Sequence, residues 1–306
     1  MSLDAVAGGL AIEAWIAERA EQVEGFMDKL LPAAELEPAS LHAAIRWASL
    51  GAGKRVRACM VYAAGHACHA SPEANLQQAL NRAAAAVELI HAYSLIHDDL
   101  PCMDDDSMRR GKPATHIQFG EAMALLAGDA MQPLAFEWLS EMPVAPALVV
   151  QSVRALAAAI GSLGMAGGQA VDLLSTGLTL KEHELAQMHG KKTGSLLSAC
   201  AQLGAIIVGA GSPQRESLRE YSKAIGLAFQ VVDDVLDVTT PSDKLGKTAG
   251  KDVAAAKATY VSLLGVDGAK SLAQQLHRQA CDAILTFGKR GEYLRGLADF
   301  VVQRAY

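Results

Sequence analysis

LQQALNRAAAAVELIHAYSLIHD, residues 76–98, reads as one long helix. Leu76, Leu80, Ala83, Val87, Ile90 and Ser94 recur every three or four positions, so they form one stripe along a helical face. Working outward, helix-like stretches cover about 11–30, 40–50, 74–100, 117–140, 145–165, 181–209, 215–239 and 269–304. Gly/Pro breaks near 51–53, 111–113, 141–146, 164–168, 210–213 and 241–250 separate them. There is no alternating strand pattern of any length, no linker, no low-complexity tract and no repeat. The expected fold is all-α: one large helical domain over residues 1–306, with two subdomains as the alternative.

Composition agrees. Of 306 residues, 51% are hydrophobic and 20% charged, which suits a large core and excludes intrinsic disorder. Aromatics are only 5%, while Ala recurs throughout and favours helix and close helix packing. A formal charge of −6 argues against a broad basic face, so no nucleic-acid partner is expected. Asp4, Glu13 and Glu18 open the chain without the basic-then-apolar order of a secretory signal. No uninterrupted apolar run approaches the ~18 residues of a membrane span. The dispersed Cys59, Cys68, Cys102, Cys200 and Cys281 form no CxxC pair and read as reduced thiols in a cytoplasmic protein.

Two acidic clusters carry the chemistry. Residues 95–113, LIHDDLPCMDDDSMRRGKP, place Asp98, Asp99, Asp104, Asp105 and Asp106 within nine positions at the end of an apolar helix. Pro101 disfavours helix at Leu100, so the helix should end there and the chain can fold Asp104 back towards Asp98. Asp105 and Asp106 read equally well as a solvated loop. In FQVVDDVLDV, residues 229–238, Asp233 and Asp237 share a helix face beside Asp234, among apolar neighbours. Such acids are costly unless paired or metal-bound. Carboxylates without a His or Cys set suit a hard cation, and Mg²⁺ completes its coordination with water and substrate phosphate. The DxDxDG spacing of an EF-hand is missing.

Cations sit near the breaks: Lys54 and Arg57 in GAGKRVR, Arg109-Arg110, Lys191-Lys192 before Thr193, and Lys247 after Gly246. Lys54 and Arg57 are spaced to share a face where a helix start offers free amides to phosphate. Arg grips phosphate with parallel hydrogen bonds. His91 lies seven before Asp98, nearly on its face. The P-loop spacing is absent. Two acidic and about four basic clusters together suit a diphosphate–Mg²⁺ site.

These segments resemble a known family. LIHDDLPCMDDDSMRRGKP and FQVVDDVLDV are similar to the first and second aspartate-rich motifs of the trans-polyprenyl diphosphate synthases. GKRVR, HAYSLIHDD, GGQAVDL at 167–173, KKTGSL at 191–196 and LGK at 245–247 follow in the family's order, over roughly residues 40–260. Within the family the likeness is nearest to bacterial farnesyl diphosphate synthases. The resemblance implies an isoprenoid synthase fold with a deep central cavity, in a homodimer. It implies three Mg²⁺ ions on the allylic diphosphate, held by Asp98, Asp99 and Asp104 from one side and by Asp233, Asp234 and Asp237 from the other. Arg109, Lys192, Thr193, Gln230 and Lys247 match positions that contact the allylic substrate. Lys54, Arg57, His91 and Arg110 match the isopentenyl diphosphate site. Where the family often reads GGKRLRP, Ala52 and Ala58 replace a Gly and the Pro, which touches loop rigidity more than binding.

The implied reaction ionises an allylic diphosphate, with cations neutralising the leaving group. Thr193 and Gln230 can steady the allylic cation through their dipoles, the isopentenyl double bond attacks, and the departing diphosphate takes the proton. Chain length is then a matter of the cavity floor. Tyr93, five before Asp98, and Ser94, four before, stand there. Within the family an aromatic at Tyr93 goes with fifteen-carbon products and Met with longer ones. Farnesyl diphosphate is the expected product and geranylgeranyl diphosphate the alternative. A terpene cyclase would lack the Lys54/Arg57 site, and a non-catalytic helical partner subunit would tend to lack the acidic clusters.

Overall fold

The computed structural model describes residues 3–51, 53–178, 180–240 and 258–303, with side chains from residue 11 onward. The fold is helical. Its helices are α1 (Leu3–Leu30), α2 (Ala39–Ser49), α3 (Val56–Cys68), α4 (Ala74–Asp98), α5 (Thr115–Phe119), α6 (Glu121–Ser140), α7 (Pro146–Ile160), α8 (Met165–Leu174), α9 (Glu182–His189), α10 (Ser195–Ile207), α11 (Ser212–Thr239), α12 (Tyr260–Ala283) and α13 (Glu292–Gln303). A π-helical segment, Gly190–Gly194, joins α9 to α10, and a 3₁₀ segment, Leu285–Gly291, joins α12 to α13.

The centre is built from small residues. α3 buries Ala58 through Gly65, α4 buries Ala83 through Ile90, and α10 buries Ala199 through Ile207. A helix apolar on every side belongs inside, and alanines let such helices approach closely. A second cluster joins Val231, Val232 and Val235 of α11 to Tyr260, Ala269 and Ala273 of α12 and Leu185 of α9. The two clusters hold the ends of α4 and α11, which carry the acids.

Several elements differ from expectation. Helix α3 carries no visible stripe, because it is buried all round. The expected 117–140 helix breaks at Gly120, whose φ of 86° ends α5. The expected 145–165 helix stops at Ile160, and α8 begins after the 161–164 turn. The expected 181–209 helix contains the π segment. The expected 269–304 helix is two helices. A two-stranded hairpin, β1 (Met108–Arg109) and β2 (Lys112–Pro113), pairs Arg109 with Lys112. Its turn, Arg110-Gly111, has φ values of 53° and 76°, the double positive φ of a type I′ hairpin.

The 29-residue stretch Pro146–Leu174 is long and apolar enough to cross a membrane, by length and composition alone. It is not an uninterrupted apolar run, since Gln151, Ser152 and Arg154 fall within it. The helix itself breaks between α7 and α8, and only 22% of the apolar window is buried.

Candidate active site

The acidic turn closes as its sequence requires. Helix α4 ends at Asp98, and the chain folds back on it: the Asp104 amide donates to the Asp98 carbonyl at 2.8 Å and the Asp106 amide to the Asp99 carbonyl at 3.1 Å. Asp105 takes a φ of 50° to make this turn and points to solvent. Asp98 and Asp104 thus lie together. Burial lifts the Asp98 carboxyl to about 6; Lys192 opposes the rise, and Asp104 adds to it.

Asp99 and Asp106 serve differently. Both are buried, and both hold Arg109. Arg109 Nε donates to the two Asp99 oxygens at 3.0 and 3.2 Å, and Nη2 donates to Asp99 and, at 3.3 Å, to Asp106 Oδ2. Asp106 is therefore no solvated loop residue. The pair fixes β1, and the hairpin turn then carries Arg110 to the GKRVR loop, where its guanidinium lies against Gly53. Lys112 anchors the hairpin from below, donating to the Trp47 and Leu50 carbonyls with its ammonium 4.7 Å from the Trp47 ring.

Arg110 there joins Arg57 and His91. Burial, then the charges of Arg57 and Arg110, hold His91 well below its ordinary pKa, so it is neutral. Lys54 and Arg57 do not share a helix face as their spacing suggested. Helix α3 starts only at Val56, after Arg55 at φ 48°. Lys54 is exposed, with its ammonium 4.5 Å from the Phe300 ring, while Arg57 turns inward.

Opposite α4, glycine sets the geometry. A Cβ on Gly168 of α8 would lie 2.2 Å from the Lys192 amide nitrogen, and one on Gly226 of α11 would lie 2.9 Å from Gly194 Cα. GGQ and KKTG thus pack backbone to backbone, and the π segment's wider turn re-aims Lys192 and Thr193. Lys192 Nζ donates to Asp172 Oδ2 at 2.5 Å. Thr193 Oγ1 donates weakly to Gln230 Oε1 at 3.5 Å, and Gln230 Nε2 donates to Asp234 Oδ1 at 2.9 Å. Asp234 Oδ2 accepts the Tyr260 amide at 2.8 Å and so ties α11 to α12. Asp234 is a bracing carboxylate. Asp233 is an electrostatic neighbour of Arg57. Asp237 is 5% exposed, and neither of its oxygens has a partner among the described residues.

A cavity of about 320 Å³ lies among these groups, lined by Arg57, His91, Asp98, Lys192 and Thr193 together with Tyr93, Ser94, Met103, Met165 and Leu196. Gln169 also lines it, with both amide atoms unpartnered among the described residues. A neighbouring cavity of about 260 Å³ beside the hairpin is lined by Asp99, Arg109 and Arg110, and Leu95 stands between the two. The first holds the convergent chemistry. Lys247 lies outside the described residues. Sequence reading missed Asp172 and Gln169: their segment was noted, but single polar residues on an apolar helix carry no signal until their partner across the cleft is known.

These groups fit Mg²⁺. The donors are hard carboxylate oxygens, and the buried Asp237 carboxylate, with neither oxygen partnered among the described residues, is a group that a cation would offset. Among the described residues no three His, Cys, Asp or Glu side chains form a metal cage. Mg²⁺ ordinarily takes one or two carboxylates and draws its other ligands from water and substrate phosphate.

Comparison with known proteins agrees with this geometry. The chain is 42% identical over 294 residues to geranylgeranyl pyrophosphate synthase 4 of Arabidopsis thaliana, covering 95% of this chain and 77% of that one. It superposes on an apo FPP/GFPP synthase from Zymomonas mobilis with a TM-score of 0.85 and 36% identity, covering 96% and 99% of the two chains. It superposes on a geranyltransferase from Helicobacter pylori, complexed with magnesium and isoprenyl diphosphate, with a TM-score of 0.84 and 30% identity, covering 95% and 96%. The polyprenyl synthetase family profile matches residues 38–284, and the chain belongs to that family.

Proposed function

We propose that this prenyltransferase condenses isopentenyl diphosphate with dimethylallyl and then geranyl diphosphate, giving farnesyl diphosphate. The observation that carries the reading is one cavity that sets Asp98 beside Lys192 and Thr193 and also presents Arg57 and His91, with Arg110 near them and the second acidic segment tied in through Thr193, Gln230 and Asp234. One site suits an ionising diphosphate, and the other holds a second diphosphate that stays intact.

Asp98 and Asp104 on one side, with Asp233 and Asp237 on the other, would hold Mg²⁺ at the allylic diphosphate. Bound there, Mg²⁺ neutralises charge developing on the leaving group. Lys192 supplies a fixed positive charge beside it, and Arg109, with Nε and Nη2 committed to Asp99 and Asp106, keeps Nη1 for the substrate. The Thr193 and Gln230 oxygens present dipoles to the allylic cation. Arg57, Arg110, Lys54 and neutral His91 grip isopentenyl diphosphate. The apolar lining keeps water from the cation. The departing diphosphate accepts the proton, so no side-chain base is required.

Tyr93 supports the fifteen-carbon product. Its ring lines the cavity and meets the His97 ring edge-on at 5.8 Å. His97 in turn donates to the Leu125 carbonyl at 3.1 Å, in a notch that Gly128 leaves open. The aromatic wall is thus pinned to α6. A twenty-carbon product is the second reading, favoured by the curated relatives' geranylgeranyl names. Incubating the protein with isopentenyl diphosphate, Mg²⁺ and either primer, then weighing products by mass spectrometry, tests both. Fifteen carbons from both primers supports the proposal, twenty moves it to the second reading, and no elongation by folded protein overturns it.

A homodimer and a cytoplasmic setting complete the proposal. Leu125 and Leu126 of α6 are exposed, as is Val150 within the apolar Pro146–Leu174 stretch, and a second copy would cover them. The five free cysteines suit a reducing compartment.

A further inference from the structure

The GKRVR loop is held in an unfavourable arrangement. Lys54, Arg55 and Arg57 crowd the start of α3, the end of a helix that disfavours positive charge. Arg55 also adopts the left-handed conformation, at φ 48°, which is strained for a non-glycine residue. Such a loop persists only where its surroundings over-determine it.

The counterweight is Glu88, on α4 and 2% exposed. Its Oε1 accepts the Ala58 amide at 3.0 Å, one of the donors that a helix start leaves unpaired. Its Oε2 accepts from Arg55 Nη1 at 3.4 Å. The Arg55 side chain has no capping bond of its own to α3, so a carboxylate from another helix does the capping. Arg55 Nη2 then reaches the Ser49 carbonyl at 2.7 Å, the Gly51 carbonyl at 3.2 Å and Glu24 of α1 at 3.1 Å. Glu24 also accepts the Gly51 amide at 2.7 Å. Every residue of this latch lies immediately before or after Lys54 and Arg57, or bonds to one that does.

We propose that Glu88, acting through Arg55 and the Ala58 amide, is a positioning residue that presets Lys54 and Arg57 for the non-allylic diphosphate. The proposal rests on the reading that these two cations take isopentenyl diphosphate. Glu88 touches no substrate. It holds the backbone from which the two cations project.

The sign of the effect separates positioning from background charge. Removing a buried anion beside a cluster of cations should tighten diphosphate binding if charge alone matters. Releasing the loop should weaken it. Glu88→Gln keeps an acceptor for Ala58 and loses the charge, Glu88→Ala removes both, and Arg55→Lys keeps charge without the planar fork. For Glu88→Gln we expect KM for isopentenyl diphosphate to rise about fivefold, and for Glu88→Ala about tenfold or more, with KM for the allylic primer within about twofold. Arg55→Lys should fall between wild type and Glu88→Ala. Circular dichroism and thermal melting show which variants fold. Calorimetric titration with isopentenyl diphosphate alone repeats the comparison without turnover. Wild-type protein that binds it but elongates nothing would sink the synthase reading, and the affinity ratio would still test the latch. A KM and an affinity that are unchanged or improved in a folded variant, with only melting temperature lost, would overturn the positioning role. Wild-type protein that binds no isopentenyl diphosphate would overturn both.

Discussion

Lys192 and Asp172, twenty residues apart in sequence, meet at 2.5 Å across the junction of α8 and the π segment. Asp172 is buried and Lys192 partly so. The pair holds the ammonium next to Asp98, where it restrains the rise of that carboxyl. Because Lys192 then answers to two acids, its position depends on both. Asp172→Asn should lower kcat/KM by about tenfold, and Lys192→Met by about a hundredfold. In a double-mutant cycle the two losses should fall short of additivity by about 1 kcal/mol, close to the whole Asp172→Asn loss. Full additivity would show that Asp172 does not act through Lys192.

The close approach at Gly168 leads to a stability prediction. A methyl group there meets backbone, which cannot swing aside, so Gly168→Ala should cost about 3 kcal/mol in urea unfolding. At Gly190, in the π segment that Gly168 packs against, a Cβ would meet nothing within 4 Å, and Gly190→Ala should change stability by under about 0.5 kcal/mol. Equal costs at both positions would remove the argument for backbone contact.

Asp237 predicts a trade between stability and ligand response. Its carboxylate is buried without a partner among the described residues, so Asp237→Asn should raise the melting temperature of ligand-free protein. The same change should shrink the further rise that Mg²⁺ with inorganic diphosphate gives to wild type. Differential scanning fluorimetry with and without the pair reads both effects. An undiminished ligand response would exclude Asp237 from the metal set.

Tyr93→Ala should lengthen the product. Removing the ring opens the wall that its contact with His97 holds in place, and mass spectrometry should show the main product gaining at least one five-carbon unit. An unchanged product would place the floor elsewhere in the cavity.

The C-terminal helices carry a pH-dependent contact outside the site. His277 Nε2 lies 2.6 Å from Asp299 Oδ1, and that hydrogen bond, helped by Cys281 and opposed by burial, raises the imidazole pKa from 6.5 to about 10. A raised histidine pKa stabilises the fold fully below about 6.5, and the contribution is lost as pH rises through about 10. The melting-temperature gap between wild type and Asp299→Asn should therefore be widest near pH 6 and close towards pH 10. A gap that does not vary with pH would refute the charged pair.

By itself the sequence determined the helical class, the two acidic segments and the identity of the cations. Those features are local: the stripe through residues 76–98, the stop at Pro101 and the Asp233/Asp237 spacing each depend on neighbours within two turns. The fold-back of Asp104 onto Asp98 was legible for that reason. The tertiary structure alone decided which partners each acid meets. Asp99 and Asp106 are taken by Arg109, and Asp234 by Gln230 and the Tyr260 amide, through contacts between separate elements that spacing cannot register. It also decided that Lys54 and Arg57 part company, because the left-handed turn at Arg55 is stabilised by Glu88 and Glu24 on two other helices. Local periodicity announces which residues can share a face; the energy that selects among acids of the same type comes from burial and from partners distant in sequence.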